Sequence, residues 1–201
     1  MTVLLTVFLF IALWLPHTAF AAKNILVFGD SLSAGYGIAV EESWANLLQQ
    51  ELVRTNSKYR VVNASISGET TLGGRQRIAK ALQQHQPAIV IVELGANDGL
   101  RGYSITDIEA NLGGIIENIR RTNAQVLLVG MKLPPNYGEP YTVQFQNLYP
   151  RLAKKYRVKL MPFLLDGVAP DHFQPDNLHP TKDAQPQLMR NVLKALRPLL
   201  R

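Results

Sequence analysis

The sequence predicts a single α/β domain built on a parallel sheet, because short apolar runs alternate with longer amphipathic stretches along its 201 residues. Three of the five apolar runs consist almost entirely of Val, Ile and Leu, which is typical of parallel strands covered by helices on both faces. Hydrophobic residues make up 47% of the chain and charged residues 18%. Such a chain can bury one core of its own without disulfides.

In chain order, the predicted strands cover residues 24–28, 60–63, 88–94, 125–129 and 158–163. Predicted helices at 43–55, 72–85, 105–121 and 141–156 lie between them, and a last helix with Pro186 in its first turn runs to about residue 199. Ligands of an open parallel sheet bind beyond the carboxyl ends of its strands. The loops that leave those ends are 29–37, 64–71, 95–103, 131–140 and 164–179, and we expect the functional residues there.

The N-terminus has the pattern of a secretory signal peptide. Residues 3–15 are almost wholly apolar, and Ala19-Phe20-Ala21 forms a small-x-small cleavage site, although no Lys or Arg precedes the apolar run. We expect a signal peptide over residues 1–21, a single domain over 22–201 and a periplasmic or secreted product without a stable membrane anchor. The alternative is a signal anchor that stays attached. The absence of cysteine excludes thiolate metal sites, cysteine nucleophiles and a lipid-modified N-terminal cysteine.

A net charge of +6 and a pI near 9.7 raise the question of a nucleic-acid partner. The basic residues are scattered, apart from the short clusters 120–121 and 154–157, and no basic stripe is interleaved with aromatic residues. Such clusters are typical of a solvated helix face. We therefore expect no nucleic-acid partner.

The most informative polar residue is Ser31, which follows the first predicted strand. Taken alone, a serine in this place is most often a helix cap, and Asp30 is expected to brace the same turn. The segment Asp176-Asn177-Leu178-His179 offers a partner, because residues three apart can share one turn. The carboxylate can then reach Nδ1 of the imidazole and leave Nε2 for Ser31, which is the arrangement that activates a serine hydroxyl.

Donors for a developing oxyanion are expected on neighbouring strand ends. Candidates are the N–H of Ser31, the backbone at Gly68 and the side-chain amide of Asn97, although a turn glycine and a bracing amide explain the last two equally well one by one. The motif G-x-S-x-G is absent, which disfavours an ordinary α/β-hydrolase. Residues 68–75 have the first glycine spacing of a P-loop but lack its Lys-Ser/Thr ending, so phosphate binding there is rejected.

The remaining histidines offer weaker alternatives. His85 ends a predicted helix, where a cation suits the dipole. His172 competes as a base, and together with Asp171, Asp176 and His179 it could form a metal site of mixed nitrogen and oxygen ligands. Without an HExxH helix or a third histidine in this segment, we expect no metal.

Four segments together resemble the SGNH (GDSL) hydrolase family over essentially the whole mature chain: Gly29-Asp30-Ser31-Leu32-Ser33, Gly68, Gly95-Ala96-Asn97-Asp98 and Asp176-Asn177-Leu178-His179-Pro180. Segments 97–102 and 183–186 favour the small bacterial periplasmic members with thioesterase, lysophospholipase or arylesterase activity. The chain departs from the usual pattern at Ala96 and Asn177, where glycine is common.

The resemblance implies a three-layer flavodoxin-like fold with a five-stranded parallel sheet in the order 2-1-3-4-5. It implies Ser31 as nucleophile, His179 as general base and acid, Asp176 as the residue that orients the base, and an oxyanion hole formed by Ser31, Gly68 and Asn97. The implied reaction is hydrolysis of acyl esters, acyl thioesters or lysophospholipids through an acyl-enzyme, without metal or organic cofactor. We expect a small-molecule acyl substrate and a monomer.

Apolar residues after the third and fourth strands suggest where an acyl group would lie: Leu100, Tyr103, Leu133, Pro134, Pro135, Tyr137 and Tyr141. They could equally well only cover the sheet edge. Gly99 and Gly102 could let the segment between them move as a lid. Two other functions stay open from sequence alone: a carbohydrate O-acetylesterase, and a catalytically silent lipid- or envelope-binding protein on the same scaffold.

Overall fold

The computed structural model describes residues 22–200, which form a five-stranded, all-parallel sheet in the order β2-β1-β3-β4-β5. The strands are β1 (Lys23–Gly29), β2 (Tyr59–Asn63), β3 (Ile89–Glu93), β4 (Gln125–Val129) and β5 (Lys159–Met161). The predicted fold class and strand order are therefore confirmed. The signal-peptide prediction concerns residues 1–21 and lies outside the described residues.

Seven α-helices connect the strands within residues 22–200: α1 (Ser31–Ala34), α2 (Trp44–Arg54), α3 (Thr71–His85), α4 (Ala96–Leu100), α5 (Ile105–Arg120), α6 (Glu139–Tyr156) and α7 (Gln185–Leu196). Helices α3, α5 and α6 pack side by side in one layer, and α2 packs against α7 in the other. Within the part of the chain that the structure describes, no helix is both long and apolar enough to cross a bilayer.

The core lies on both faces of the central strands. The apolar residues of β1 and β3, such as Ile25, Phe28 and Ile91, are fully buried, as the near-continuous Val/Ile/Leu runs predicted. The largest buried side chains from the helices are Trp44 of α2 and Tyr149 of α6. The strand ends that carry the predicted site therefore rest on a rigid, close-packed support.

Two one-turn helices, α1 and α4, lie where loops were predicted. Helix α1 begins because the Asp30 carboxylate accepts a hydrogen bond from the N–H of Leu32, and it ends at Gly35, whose φ of 78° is left-handed. A helix of a single turn is too short to show hydrophobic periodicity in the sequence, so neither helix was predicted. Strand β5 is shorter than predicted, because Pro162 follows Met161 and has no N–H for the ladder.

Candidate active site

Ser31 is the first residue of α1 and stands directly beyond the carboxyl end of β1, the strand between β2 and β3. Gly29 must lack a side chain there, because a Cβ would lie 2.6 Å from Oε2 of the buried Glu93. Its N–H donates to Ser65 Oγ at 3.1 Å, which ties the end of β1 to the loop after β2. The backbone that presents Ser31 is thus held by its two neighbouring strands.

Asp176, His179 and Ser31 form a continuous chain of short hydrogen bonds. Asp176 Oδ2 lies 2.7 Å from His179 Nδ1, and His179 Nε2 lies 2.8 Å from Ser31 Oγ. Asp176 Oδ1 also accepts from the N–H groups of Leu178 and His179, at 2.9 and 3.0 Å. Asn177 completes this tight turn with a φ of 57°, a conformation that asparagine tolerates.

The electrostatics of this turn favour an ionised Asp176. Partial desolvation raises the pKa of Asp176, but hydrogen bonds from the N–H and the ring of His179 and from the N–H of Leu178 outweigh it and lower the pKa from 3.8 to about 2. At neutral pH the carboxylate can therefore hold His179 with a proton on Nδ1. Nε2 is then free to accept a proton from Ser31.

Sequence reasoning missed Tyr36, whose ring lies against His179. The two ring centroids are 4.6 Å apart and the rings are tilted by 42°. Gln174 joins the two segments, because its Nε2 donates to the carbonyl oxygens of Tyr36 at 2.8 Å and Pro180 at 3.2 Å. No motif signals such a contact, since Tyr36 and His179 lie near opposite ends of the described chain.

The predicted oxyanion donors occupy three neighbouring strand ends. Gly68 follows β2 with a φ of 78° and has open space where a Cβ would be. Asn97 lies in α4 after β3, and its Nδ2 donates to Asp30 Oδ2 at 3.2 Å and to the carbonyl oxygen of Glu69 at 3.1 Å. Asp30 therefore does more than brace its own turn, because it also orients the Asn97 amide.

Three acidic side chains are buried beneath these strand ends: Asp30, Glu93 and Asp98. Asp98 accepts from both the N–H and the hydroxyl of Thr71, which fixes the start of α3. Glu93 Oε2 accepts from Ser33 Oγ at 2.6 Å, whereas its Oε1 has no hydrogen-bond partner among the described residues. Burial and the charge of Asp30 raise the pKa of Glu93 well above 4.5, which favours its protonated form.

The pKa of Asp30 is also raised by burial, to about 6, although the N–H of Leu32, the nearby His179 and the Asn97 amide partly oppose this rise. With a pKa of about 6, Asp30 is mostly ionised at neutral pH. Its charge favours the hydrogen bond from Asn97, because a charged acceptor strengthens such a bond.

An apolar cavity of about 330 Å³ opens beside Ser31 and His179. Its lining includes Leu100, Leu133 and Pro134 from the sequence-predicted set, together with apolar residues that were missed: Met131, Phe163, Leu165, Phe173 and Leu178. Met131 and Phe163 lie two residues after the ends of β4 and β5. These sequence positions could have identified them as candidate lining residues.

Tyr103, Tyr137 and Tyr141 are not part of the cavity lining. The hydroxyl of Tyr137 donates to the carbonyl oxygen of Leu100 at 3.0 Å, and that of Tyr141 donates to the carbonyl oxygen of Tyr103 at 2.7 Å. These two tyrosines therefore hold the segment between α4 and α5 against the start of α6. Gly99 packs tightly there, since a Cβ would lie 2.7 Å from Leu133 and 2.8 Å from Phe145.

The histidine alternatives find little support in the geometry. His172 lies in a short 3-10 turn, where its backbone binds Thr181, and His85 ends α3. Over residues 22–200, no group of three or more His, Asp or Glu side chains is placed to hold a metal ion.

Residues 27–185 match the model of the GDSL-like lipase/acylhydrolase family. The five-stranded parallel sheet and its strand order agree with that match. The chain belongs to this family and is an ester-bond hydrolase.

Particular relatives are similar over nearly the whole chain. Esterase TesA of Pseudomonas aeruginosa is 44% identical over 182 residues, which cover 90% of each chain. Thioesterase 1/protease 1/lysophospholipase L1 of Escherichia coli K12 is 44% identical over 195 residues, covering 96% of this chain and 92% of the relative. A crystal structure of TesA superposes with a TM-score of 0.86 at 43% identity, covering 89% of this chain and all of that one.

Proposed function

We propose that the protein is a serine esterase and thioesterase in which Ser31 is the nucleophile, His179 the general base and acid, and Asp176 the residue that orients His179. The observation that carries the proposal is the unbroken Asp176–His179–Ser31 hydrogen-bond chain, with separations of 2.7 and 2.8 Å, at the mouth of an apolar cavity. Ser31 Oγ attacks the carbonyl carbon while its proton passes to His179 Nε2. His179 then protonates the leaving alcohol or thiol, and an acyl-enzyme remains on Ser31.

In the second step, His179 takes a proton from water and the resulting hydroxide attacks the acyl carbon. The acid leaves and the proton returns to Ser31. Asp176 stays ionised throughout, because its pKa of about 2 lies far below working pH. No metal or organic cofactor is needed for either step.

We further infer that the oxyanion is stabilised by the N–H groups of Ser31 and Gly68 and by the Asn97 amide. Both N–H bonds of Asn97 Nδ2 already have acceptors, Asp30 and the Glu69 carbonyl. An oxyanion must therefore share or replace one of these bonds. The gain comes from the greater charge of the oxyanion relative to a neutral carbonyl, which strengthens the bond in the transition state.

The cavity lining favours acyl chains over acetyl groups. Ten of its residues have apolar side chains, and an acetyl group would leave most of that surface without contact. Leu32 follows β1, and the other nine follow β3, β4 or β5: Ala96, Leu100, Met131, Leu133, Pro134, Phe163, Leu165, Phe173 and Leu178. Each buried methylene contributes about 0.8 kcal/mol. We therefore propose medium or long acyl esters, acyl thioesters and lysophospholipids as substrates, which accords with the names of the relatives.

The test is a hydrolysis profile of the purified protein over acyl length and leaving group. The substrates are a series of p-nitrophenyl esters, an acyl-CoA, a lysophosphatidylcholine and an acetylated sugar, with Ser31→Ala as the control. We expect kcat/KM to rise with acyl length and activity to vanish in Ser31→Ala. Highest activity on the acetylated sugar would instead support a carbohydrate O-acetylesterase, and full activity in Ser31→Ala would contradict the proposed nucleophile.

We also propose export to the periplasm or medium, with cleavage after Ala21. This rests on the apolar run at residues 3–15 and on the small residues at 19 and 21. N-terminal sequencing of the protein recovered from the periplasmic fraction should begin at Ala22. Recovery of uncleaved chain from the membrane fraction would favour a signal anchor.

A further inference from the structure

The edge of the sheet opposite the candidate active site is strongly positive. All five strands are parallel, so their first residues share this edge. Exposed cations stand at or beside the start of three strands: Lys23 in β1, Lys58 and Arg60 around the start of β2, and Lys159 in β5. The parallel topology therefore brings cations that are far apart in the sequence to one edge of the sheet.

The helices run antiparallel to the strands and end on the same edge. Their last turns carry further cations: Arg54 in α2, Arg120 in α5, Lys154 and Lys155 in α6, and Lys194 in α7. The residues that cap three of these helices are also basic: Arg121, Arg157 and Arg197. These twelve exposed side chains are called the basic edge below.

Little negative charge balances the basic edge. Only Glu51 and Glu117 lie in the same terminal turns, and Asp166 lines a surface pocket with Lys159 and Lys194. Within residues 22–200, Arg54 is the one member of the basic edge that forms an ion pair, with Glu51 at 2.8 Å. With twelve cations and three nearby carboxylates, the net charge of the edge exceeds the +6 of the whole chain.

Helix dipoles explain part of this arrangement, because cations stabilise the C-terminal turn of a helix. They do not explain Lys23, Lys58, Arg60 and Lys159, since strands have only small net dipoles. Repulsion among so many unpaired cations opposes folding. An external anion that covers the edge would relieve that repulsion.

We propose that the basic edge docks the protein on an anionic, phosphate-bearing lipid surface. The edge spans five strands, about 20 Å at 4.8 Å per strand interval, and so matches a plane better than a groove. Its two tyrosines, Tyr59 and Tyr156, are only 5% and 8% exposed. They offer no rings on which bases could stack, which disfavours single-stranded nucleic acid as the partner.

Docking in this orientation turns the cavity beside Ser31 away from the lipid surface. Substrates then reach the cavity from the aqueous side while the enzyme is retained at the surface. The proposal concerns the opposite end of the molecule and does not depend on the roles assigned to Ser31 and His179.

Co-sedimentation of the purified full chain with lipid vesicles tests the proposal. Vesicles of phosphatidylcholine alone are compared with vesicles containing about one third phosphatidylglycerol, and partition to the neutral vesicles is subtracted so that the N-terminal apolar segment does not contribute. We expect binding to the anionic vesicles at about 0.1 M salt and release at about 1 M, where the Debye length falls from ~10 to ~3 Å. Equal binding to both vesicle types would overturn the proposal.

Two matched triple variants separate the basic edge from net charge. Lys154→Gln/Lys159→Gln/Lys194→Gln removes three charges from the edge, and Arg75→Gln/Arg101→Gln/Lys182→Gln removes three exposed charges near the other end. We expect the first to lower partition roughly tenfold or more and the second less than threefold. Equal losses would overturn the proposal, as would tighter binding to DNA than to anionic vesicles at the same salt. Thermal unfolding of each variant verifies that it is folded.

Discussion

The role of Asp176 is best tested by comparing Asp176→Asn with Asp176→Ala. In the native turn, Asp176 Oδ2 accepts from His179 Nδ1 while Oδ1 accepts from two backbone N–H groups. Asparagine can keep the backbone bonds but presents an N–H to Nδ1, so Nδ1 becomes an acceptor and the proton moves to Nε2. His179 can then no longer accept the proton of Ser31.

The size of the two effects follows from the structure. The fall in the pKa of Asp176 from 3.8 to about 2 corresponds to about 2.4 kcal/mol at about 1.4 kcal/mol per pKa unit. The side chain is 39% exposed, and solvent screening reduces this to about 1 kcal/mol. Loss of that stabilisation plus looser orientation predicts a 10- to 100-fold loss of kcat in Asp176→Ala, by order of magnitude. The wrong tautomer in Asp176→Asn predicts a loss of about 10⁴-fold.

The assay is kcat for a soluble p-nitrophenyl ester at pH 8, with unfolding midpoints measured alongside. Asparagine should be the more damaging substitution although it is the more conservative one. Asp176→Asn activity within tenfold of the native enzyme would refute the tautomer argument. Equal losses in folded Asp176→Asn and Asp176→Ala would refute it as well.

Three further outcomes are expected. Asn97→Ala should lower kcat about 10²- to 10³-fold with little change in KM, because an oxyanion donor acts mainly in the transition state; a rise in KM alone would contradict this role. Burial raises the pKa of Glu93, so the folded state holds a proton that the unfolded chain releases above about pH 4.5, and stability falls as pH rises. Glu93→Gln should therefore flatten the decline of the unfolding free energy above about pH 4.5, with the slope due to Asp30 remaining; an unchanged slope would contradict the raised pKa. Gly99→Ala should destabilise by about 1–3 kcal/mol through overpacking, whereas Gly102→Ala meets open space but costs about 1–2 kcal/mol through its left-handed φ of 68°; urea unfolding measures both, and an unchanged stability of Gly99→Ala would contradict the tight packing.

The fold was predictable because its strands are buried on both faces. Such strands read as continuous apolar runs, and the alternation of strand and helix leaves few topologies for a chain of this length. The one-turn helices α1 and α4 were not predictable by pattern, because capping by Asp30 and the left-handed Gly35 determine the first of them.

Residues within one turn were also predictable. Asp176 and His179 are three apart, so their mutual geometry follows from local structure alone. By contrast, Tyr36 reaches His179 only through the tertiary fold. From the sequence, Glu93 is predicted only as a residue near the end of a buried strand. Nothing in the sequence indicates that it accepts a hydrogen bond from Ser33 or that it lies close to Asp30.

The orientation of two tyrosine side chains was also not predictable from the sequence. Tyr137 lies in the loop that contributes to the cavity and Tyr141 in the first turn of α6, yet their hydroxyls donate to the carbonyl oxygens of Leu100 and Tyr103. Sequence position identified the loop, but the direction of each side chain depended on which acceptors the fold placed within reach. Similarly, the scattered cations gave no basic stripe until the parallel topology brought them to one edge.

The central claim, that Ser31 carries the acyl group during turnover, is tested most directly by trapping the intermediate. The protein is mixed with a long-chain p-nitrophenyl ester, quenched in acid within the first turnovers, and its mass is measured before and after proteolysis. If Ser31 is the nucleophile, the mass increases by one acyl group on the peptide that contains Ser31, and no increase occurs in Ser31→Ala. An acyl group on another residue, or the same adduct in Ser31→Ala, would contradict it.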